Sequence, residues 1–210
     1  MIIAMVLRSG GEYNARHVHW LHRQLPKGYR IVCFSDVNIE GIETIPLQYD
    51  WPGWWAKMEL FRPDIPDDIF YLDLDTVITG DITGMLSVHR PMMLKDFYNP
   101  QQFGSGLMFI PHEAKARVWS AFLKNPEEHM NHCSTPECWG DQGFISREME
   151  GITAWQSVFF DQVVSFKAHV MHSANPKPGE LPMNTRICCF HGKPRPWDLR
   201  IPYHWLPKFN

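Results

Sequence analysis

A chain of 210 residues with 44% hydrophobic content is long enough for one substantial core, and by size scaling such a chain buries roughly 70% of its unfolded surface. Its net charge of −3 comes without a Lys/Arg block, which argues against nucleic acid as a partner, because backbone-directed binding needs a basic face. Five cysteines, an odd number, fit reduced thiols better than a disulfide framework, and the apolar start at residues 1–7 is too short for a leader or a membrane span, so a cytoplasmic protein is expected.

Residues 2–7 read as a strand buried on both faces. Ser9-Gly10-Gly11 is a turn. A helix starts near Glu12, because Val18, Leu21, His22 and Leu25 keep helical spacing, and Pro26-Lys27-Gly28 ends it. Residues 29–35 form a second strand closed by Asp36, so strand, helix and parallel strand make a right-handed βαβ start. A short third strand covers 42–47. Trp51-Pro52-Gly53-Trp54-Trp55 is a loop, and 56–61 is a short helix stopped by Pro63. Residues 70–78 then read as one buried strand, with Phe70, Leu72 and Leu74 alternating with Tyr71, Asp73 and Asp75. Further strands are expected at 92–94, at 107–110 after Phe103-Gly104-Ser105-Gly106, and at 187–190. A helix over 112–125 keeps Ala114, Val118, Ala121, Phe122 and Asn125 on one face. Residues 127–139 read as a loop, and Asp141 as the N-cap of a helix reaching Arg147. Short strands alternate with turns over 151–175. The tail from Gly192, with Pro194, Pro196, Pro202 and Pro207, is expected to be extended. The pattern is α/β with a mostly parallel central sheet flanked by helices.

Asp73 and Asp75 carry the sharpest chemical signal. In an extended strand they share a face, and two carboxylates so close repel unless a positive group lies between them. A divalent cation with oxygen ligands solves that, at the C-terminal edge of a core strand where open α/β sheets bind ligands. The bland alternative is one turn cap and one solvated acid. Leu7-Arg8-Ser9-Gly10-Gly11-Glu12-Tyr13 is either a plain strand-to-helix turn or a nucleotide loop, with Tyr13 on the base and backbone amides near phosphate. Lys57 is either a surface lysine or a partner for a diphosphate or a sugar. Ser105, Asp141 and Gln142 suit sugar hydroxyls, or serve as turn and cap residues. His191, with Lys193 and Arg195 beside it, follows the last strand.

In this order the segments resemble the nucleotide-sugar glycosyltransferases of the GT-A fold, and among them the glycogenin-like family 8 group. The resemblance spans Leu7 to Trp197 and rests on Tyr-Leu-Asp-Leu-Asp-Thr-Val, Ser-Gly-Leu-Met-Phe-Ile, Gly-Asp-Gln-Gly and the segment around His191-Gly192-Lys193-Pro194-Arg195-Pro196-Trp197. It implies a single Rossmann-like domain over 1–210, with a nucleotide-binding half over about 1–80 and a sugar and acceptor half over about 81–210. It implies transfer of a hexosyl group from a nucleotide-sugar, a UDP-sugar, to an acceptor hydroxyl on a glycan, lipid or protein, with retention and with Mn²⁺ or Mg²⁺. On the matching positions, Asp73, Asp75 and His191 hold metal. Leu7, Ser9, Tyr13, Asp36, Lys57, Asp73, Ser105, Gly192 and Arg195 contact the donor, and Asp141 and Gln142 orient the sugar. One departure stands out: aligning Gly192 and Arg195-Pro196-Trp197 on the family's Gly-x-x-Lys-Pro-Trp puts Cys189 where the metal histidine belongs. In an extended chain positions 189 and 191 share a face, so His191 is taken as the ligand and Cys189 as its rival, a softer and poorer partner for Mn²⁺ or Mg²⁺. Arg195 replaces the family lysine, keeping charge and changing geometry.

Three other readings compete. A nucleotidyltransferase would show a Gly-rich basic loop, and Ser9-Gly10-Gly11-Glu12 is short and acidic. A structural zinc site could use His129, His132, Cys133 and Cys138, although these lack paired Cys-x₂-Cys spacing. A non-catalytic sugar-binding module could stack sugar on Trp51, Trp54 and Trp55.

Overall fold

The computed structural model describes residues 1–172, 175, 177–201 and 203–209. The readings made for Ser173, Ala174 and Pro202 lie outside the described residues. The strands of the first half are β1 (Ile2–Leu7), β2 (Ile31–Ser35), β3 (Glu43–Pro46), β4 (Ile69–Leu72), β5 (Val77–Ile78) and β6 (Met92–Lys95). Those of the second half are β7 (Phe103–Ile110), β8 (Ser134–Thr135), β9 (Cys138–Trp139), β10 (Thr153–Ala154), β11 (Val163–Ser165) and β12 (Ile187–Cys189). A seven-stranded sheet runs β10-β6-β7-β4-β1-β2-β3. Its pairs are parallel except at β7, which lies antiparallel to both β4 and β6. The expected mostly parallel sheet is present.

β1 shows how this sheet is covered on both sides. Ile3, Met5 and Leu7 join one core cluster while Ile2 and Ala4 join the other, as strand alternation requires. The helices are α1 (Ala15–His22), α2 (His112–Leu123), α3 (Pro126–His132), α4 (Gly140–Glu148) and α5 (Trp155–Val158). α1 begins at Ala15 rather than near Glu12 because Asn14 caps it. The Asn14 carboxamide oxygen accepts the Arg16 N–H at 3.0 Å, and the Asn14 N–H donates to His17 Nδ1 at 3.0 Å.

Residues 70–78 are not one strand. β4 stops at Leu72, the Asp73 N–H still donates to Gly106 O at 2.9 Å, and the Thr76 N–H turns back to Asp73 O at 3.0 Å. β5 then leaves the main sheet and pairs antiparallel with β12, which runs parallel to β11 in a second, three-stranded sheet. The Asp-Leu-Asp segment is therefore a crossing between two sheets, and strand alternation does not place its side chains.

The expected loop at 127–139 contains α3 and the β8–β9 hairpin. Asn125 caps α3 by accepting the Glu128 N–H at 3.3 Å, with Pro126 in its first turn. The hairpin brings Cys133 and Cys138 to a Cα separation of 4.5 Å in a disulfide, so the expectation of five reduced thiols is corrected for this pair. Cys33, Cys188 and Cys189 are free and buried. Asp141 is not an N-cap: Trp139 holds that position without a side-chain bond, and Asp141 lies in the first turn of α4. Gly104-Ser105-Gly106 lies within β7 rather than before it. A 3₁₀ turn at Pro196–Asp198 interrupts the tail expected to be extended.

Candidate active site

A cleft of about 640 Å³ opens where the chain crosses between the sheets. Its walls come from the turn at 73–76, the start of β7, the first turn of α4 and the residues after β12. Tyr13, Lys57, Asp73, Asp75, Ser105, Asp141, Gln142, His191, Gly192 and Arg195 all line it. Leu7, Ser9 and Asp36 are not among its lining residues: the Leu7 side chain is in the core. Ser9 and Asp36 hold each other, the Ser9 N–H donating at 2.8 Å and its hydroxyl at 2.5 Å. Burial works against ionising Asp36, but these bonds outweigh it and keep its carboxyl below the usual range.

Lys57 organises the deepest part. The 3₁₀ segment Gly53–Phe61 buries it, and Nζ donates to Ser105 Oγ at 2.8 Å and meets Asp141 Oδ2 at 2.9 Å and Asp73 Oδ1 at 3.4 Å. Ser105 Oγ donates in turn to Asp141 Oδ2 at 2.7 Å, and Tyr71 O–H to Asp73 Oδ1 at 2.5 Å. Burial alone would lower the ammonium's pKa; the charges of Asp141 and Asp73 more than offset it and hold Lys57 above the ordinary lysine value. Gly106 leaves room for Asp73: a Cβ on it would stand 3.0 Å from Asp73 Oδ2 and push that carboxylate aside by a few tenths of an ångström.

Asp75 is 3% exposed, and burial first, then the charge of Asp73, push its carboxyl up to about 7. Arg195 forms an ion pair with it, and Tyr13 O–H donates to it at 3.2 Å. Arg195 also meets Glu12 Oε2 at 3.0 Å and lies over the Tyr13 ring at 5.3 Å, so one face of the ring expected to stack on a base is covered. Bonds from Arg195 and then Lys193 lower the Glu12 carboxyl to about 2.

Two hard carboxylates at the cleft floor, one of them buried against the other's charge, fit a divalent cation with oxygen ligands. His191 lines the same cleft, with its imidazole held by other groups. β12 ends at Cys189, Gly192 turns at φ +65°, and His191 Nε2 lies 2.6 Å from Ser165 Oγ with its ring stacked 5.6 Å from Phe97. Burial, then the charge of Lys167, lowers its pKa. Cys189 also lines the cleft, and burial, then the charges of Asp75 and Asp73, raises the pKa of its thiol. Among the described residues no three His, Cys, Asp or Glu side chains are gathered as a metal-holding group. The disulfide consumes both thiols the zinc reading needs. Trp51 and Trp55 are core residues, leaving Trp54 at the cleft.

Sequence reasoning missed Glu12, Tyr71 and Trp139. Tyr71 was findable as the same-face neighbour of Asp73 two residues on. Glu12 and Trp139 carry no local signal beyond their nearness to the glycine turn and to Gly140-Asp141.

Neither a protein-family model nor a curated protein matches the chain. Solved structures do. The glycosyltransferase GlyE of Streptococcus pneumoniae TIGR4 aligns over 93% of this chain at 14% identity and a TM-score of 0.64, and this chain spans 56% of it. The galactosyltransferase LgtC, solved with donor and acceptor sugar analogues, aligns over 94% of this chain and 89% of its own at 13% identity and a TM-score of 0.59. Mouse xyloside xylosyltransferase 1 aligns over 91% and 97% at 12% identity and a TM-score of 0.52. With the sheet order and cleft described above, these likenesses give the chain the GT-A fold of sugar-transferring enzymes.

Proposed function

We propose that the chain is a nucleotide-sugar-dependent glycosyltransferase that moves a hexosyl group from a UDP-sugar to an acceptor hydroxyl with retention. The observation carrying this reading is the pair of linked charge clusters, Lys57–Ser105–Asp141–Asp73 and Asp75–Arg195–Glu12, on the floor of one cleft in a GT-A fold. The donor and acceptor sugar analogues held by LgtC support it. Asp73 and Asp75 would hold Mn²⁺ or Mg²⁺, with His191 or Cys189 as a further ligand. The bound ion would supply positive charge at the departing diphosphate.

The chain's own groups do the rest. Arg195, ion-paired with Asp75, would bond the leaving diphosphate oxygens. Lys57 is a positioning residue, because its ammonium already meets Ser105, Asp141 and Asp73. It fixes Asp141, which with Gln142 orients the sugar by its hydroxyls. The acceptor oxygen bonds to the anomeric carbon on the face from which the diphosphate departs, as the carbon–diphosphate oxygen bond breaks, and the acceptor hydroxyl's proton passes to the departing diphosphate oxygen. Residues 1–80 form the nucleotide half in this reading, with Ser9 and Asp36 holding the loop under the nucleoside.

A thermal-shift series with UDP, other nucleoside diphosphates and UDP-sugars, with Mn²⁺ or with chelator, tests it. A metal-dependent rise with UDP is expected, lost in Asp75→Asn without loss of fold. A folded protein that responds to no nucleoside diphosphate would falsify the reading.

A further inference from the structure

A second depression, of about 490 Å³, adjoins the cleft. Trp139 and Gln142 line both. The outer depression lies between the β8–β9 hairpin and α4, lined by Gln101, Gln102, His132, Glu137, Ser146 and Arg147 among others. It thus continues the cleft outward across one tryptophan, with polar side chains set among Phe103, Cys138 and Trp139. That tryptophan is 50% exposed, and Trp54, packed beside it with ring centroids 6.3 Å apart, is 52% exposed. Two large aromatic faces left half in water at a cleft mouth are unusual for side chains that normally bury most of their area.

The lip is also built firmly. The Cys133–Cys138 disulfide ties the hairpin, and the Gln102 carboxamide donates to Pro136 O at 2.7 Å. Gly140 takes φ +58°, and a Cβ there would stand 3.0 Å from Trp54 Nε1. Gly143 packs so close that a Cβ would stand 2.9 Å from Cys138 Sγ. Glycine at both positions lets the hairpin and Trp54 close down on α4.

We propose that this groove binds the outer sugars of an oligosaccharide acceptor, laid across Trp139 with its terminal residue in the cleft beside Gln142. The inference rests on the transferase reading and adds the acceptor's chemical class. A pyranose presents a flat C–H face and a rim of hydroxyls. The groove offers the complement: aromatic faces at the lip, and beyond them amide, hydroxyl, carboxylate and guanidinium groups that both donate and accept. A lipid tail would take the Glu137 and Arg147 charges out of water without replacing their bonds. An extended peptide would need a longer free strand edge than the two residues of β9, or a run of apolar pockets.

The test is saturation-transfer NMR on the whole chain with UDP and Mg²⁺ present. The probes are lactose, maltotriose, cellotriose and chitotriose, with a Ser/Thr-rich peptide as the competing class. Binding of at least one oligosaccharide is expected, with the strongest transfer at its ring C–H protons. Affinity should fall about tenfold or more in Trp139→Ala and again in Arg147→Glu, as losing an anchor at a small interface does. Both side chains are exposed, so melting temperatures should hold and separate a binding loss from unfolding. UDP binding with no oligosaccharide binding, peptide in place of sugar, or sugar binding indifferent to both substitutions overturns the groove. Oligosaccharide binding that both substitutions weaken, in a protein that binds no nucleotide, upholds the groove and overturns the transferase reading.

Discussion

At the scale of single residues, Lys57 shows how a buried charge is kept. Its side chain is 8% exposed and faces Asp141 at 2.9 Å and Asp73 at 3.4 Å. Removing one partner of a buried ion pair leaves the other charge unpaired in a poor solvent for it. Lys57→Met is therefore expected to destabilise the fold by about 3–5 kcal/mol, read from urea unfolding midpoints. A value near zero would mean water reaches Asp141 and Asp73 freely. Lys57→Arg should not restore full stability, because a planar fork does not fit a pocket shaped around three converging oxygens. The sequence named Lys57 only as a diphosphate or sugar partner or a surface lysine. Its burial depends on Ser105 and Asp141, 48 and 84 positions further along, and no local pattern reports that.

At the scale of elements, α4 and the β8–β9 hairpin form the unit that presents Asp141 and Gln142. The helix starts where the hairpin ends: Trp139 closes β9 and is the N-cap of α4. Gly143 is the tightest point of that junction, with hairpin backbone atoms of Cys138 at 3.0 Å from a Cβ built on it. Gly143→Ala should cost about 1–3 kcal/mol through overpacking, although alanine favours a helix over glycine. Gly11→Ala is the control: nothing lies within 4 Å of its Cβ position and its φ is not positive, so a change of no more than about 0.5 kcal/mol is expected. Equal effects at the two glycines would mean the junction yields easily. The hairpin itself was illegible in the sequence, because strands of two residues carry no alternation to detect.

At the scale of the whole molecule, the two sheets share one core. Val163, Val164, Ile187 and Cys188 of the smaller sheet belong to the same cluster as Ile3, Met5 and Phe70 of the larger one. Thermal unfolding followed by near-UV and far-UV circular dichroism should therefore give coincident transitions. Two separated transitions would show the β11–β12–β5 sheet melting by itself. No helix among the described residues is long and apolar enough to cross a membrane.

What the chain's sequence determined by itself is whatever runs along the backbone. The apolar run of β1, the alternation through β4, the helical spacing of α1 and α2, and the order of Asp-x-Asp, Ser-Gly and Asp-Gln-Gly were all readable, and the resemblance to the GT-A fold rests on that order. Tertiary structure decided the partners. Arg195 reaches Asp75 across 120 positions, and His191 meets Ser165 across 26. The turn at 73–76 replaced a strand because β5 found its hydrogen bonds on β12 instead of in the main sheet. Periodicity encodes which face of an element is apolar, whereas which charges meet is set by non-local packing, and packing chose the ion pairs, the disulfide and the groove.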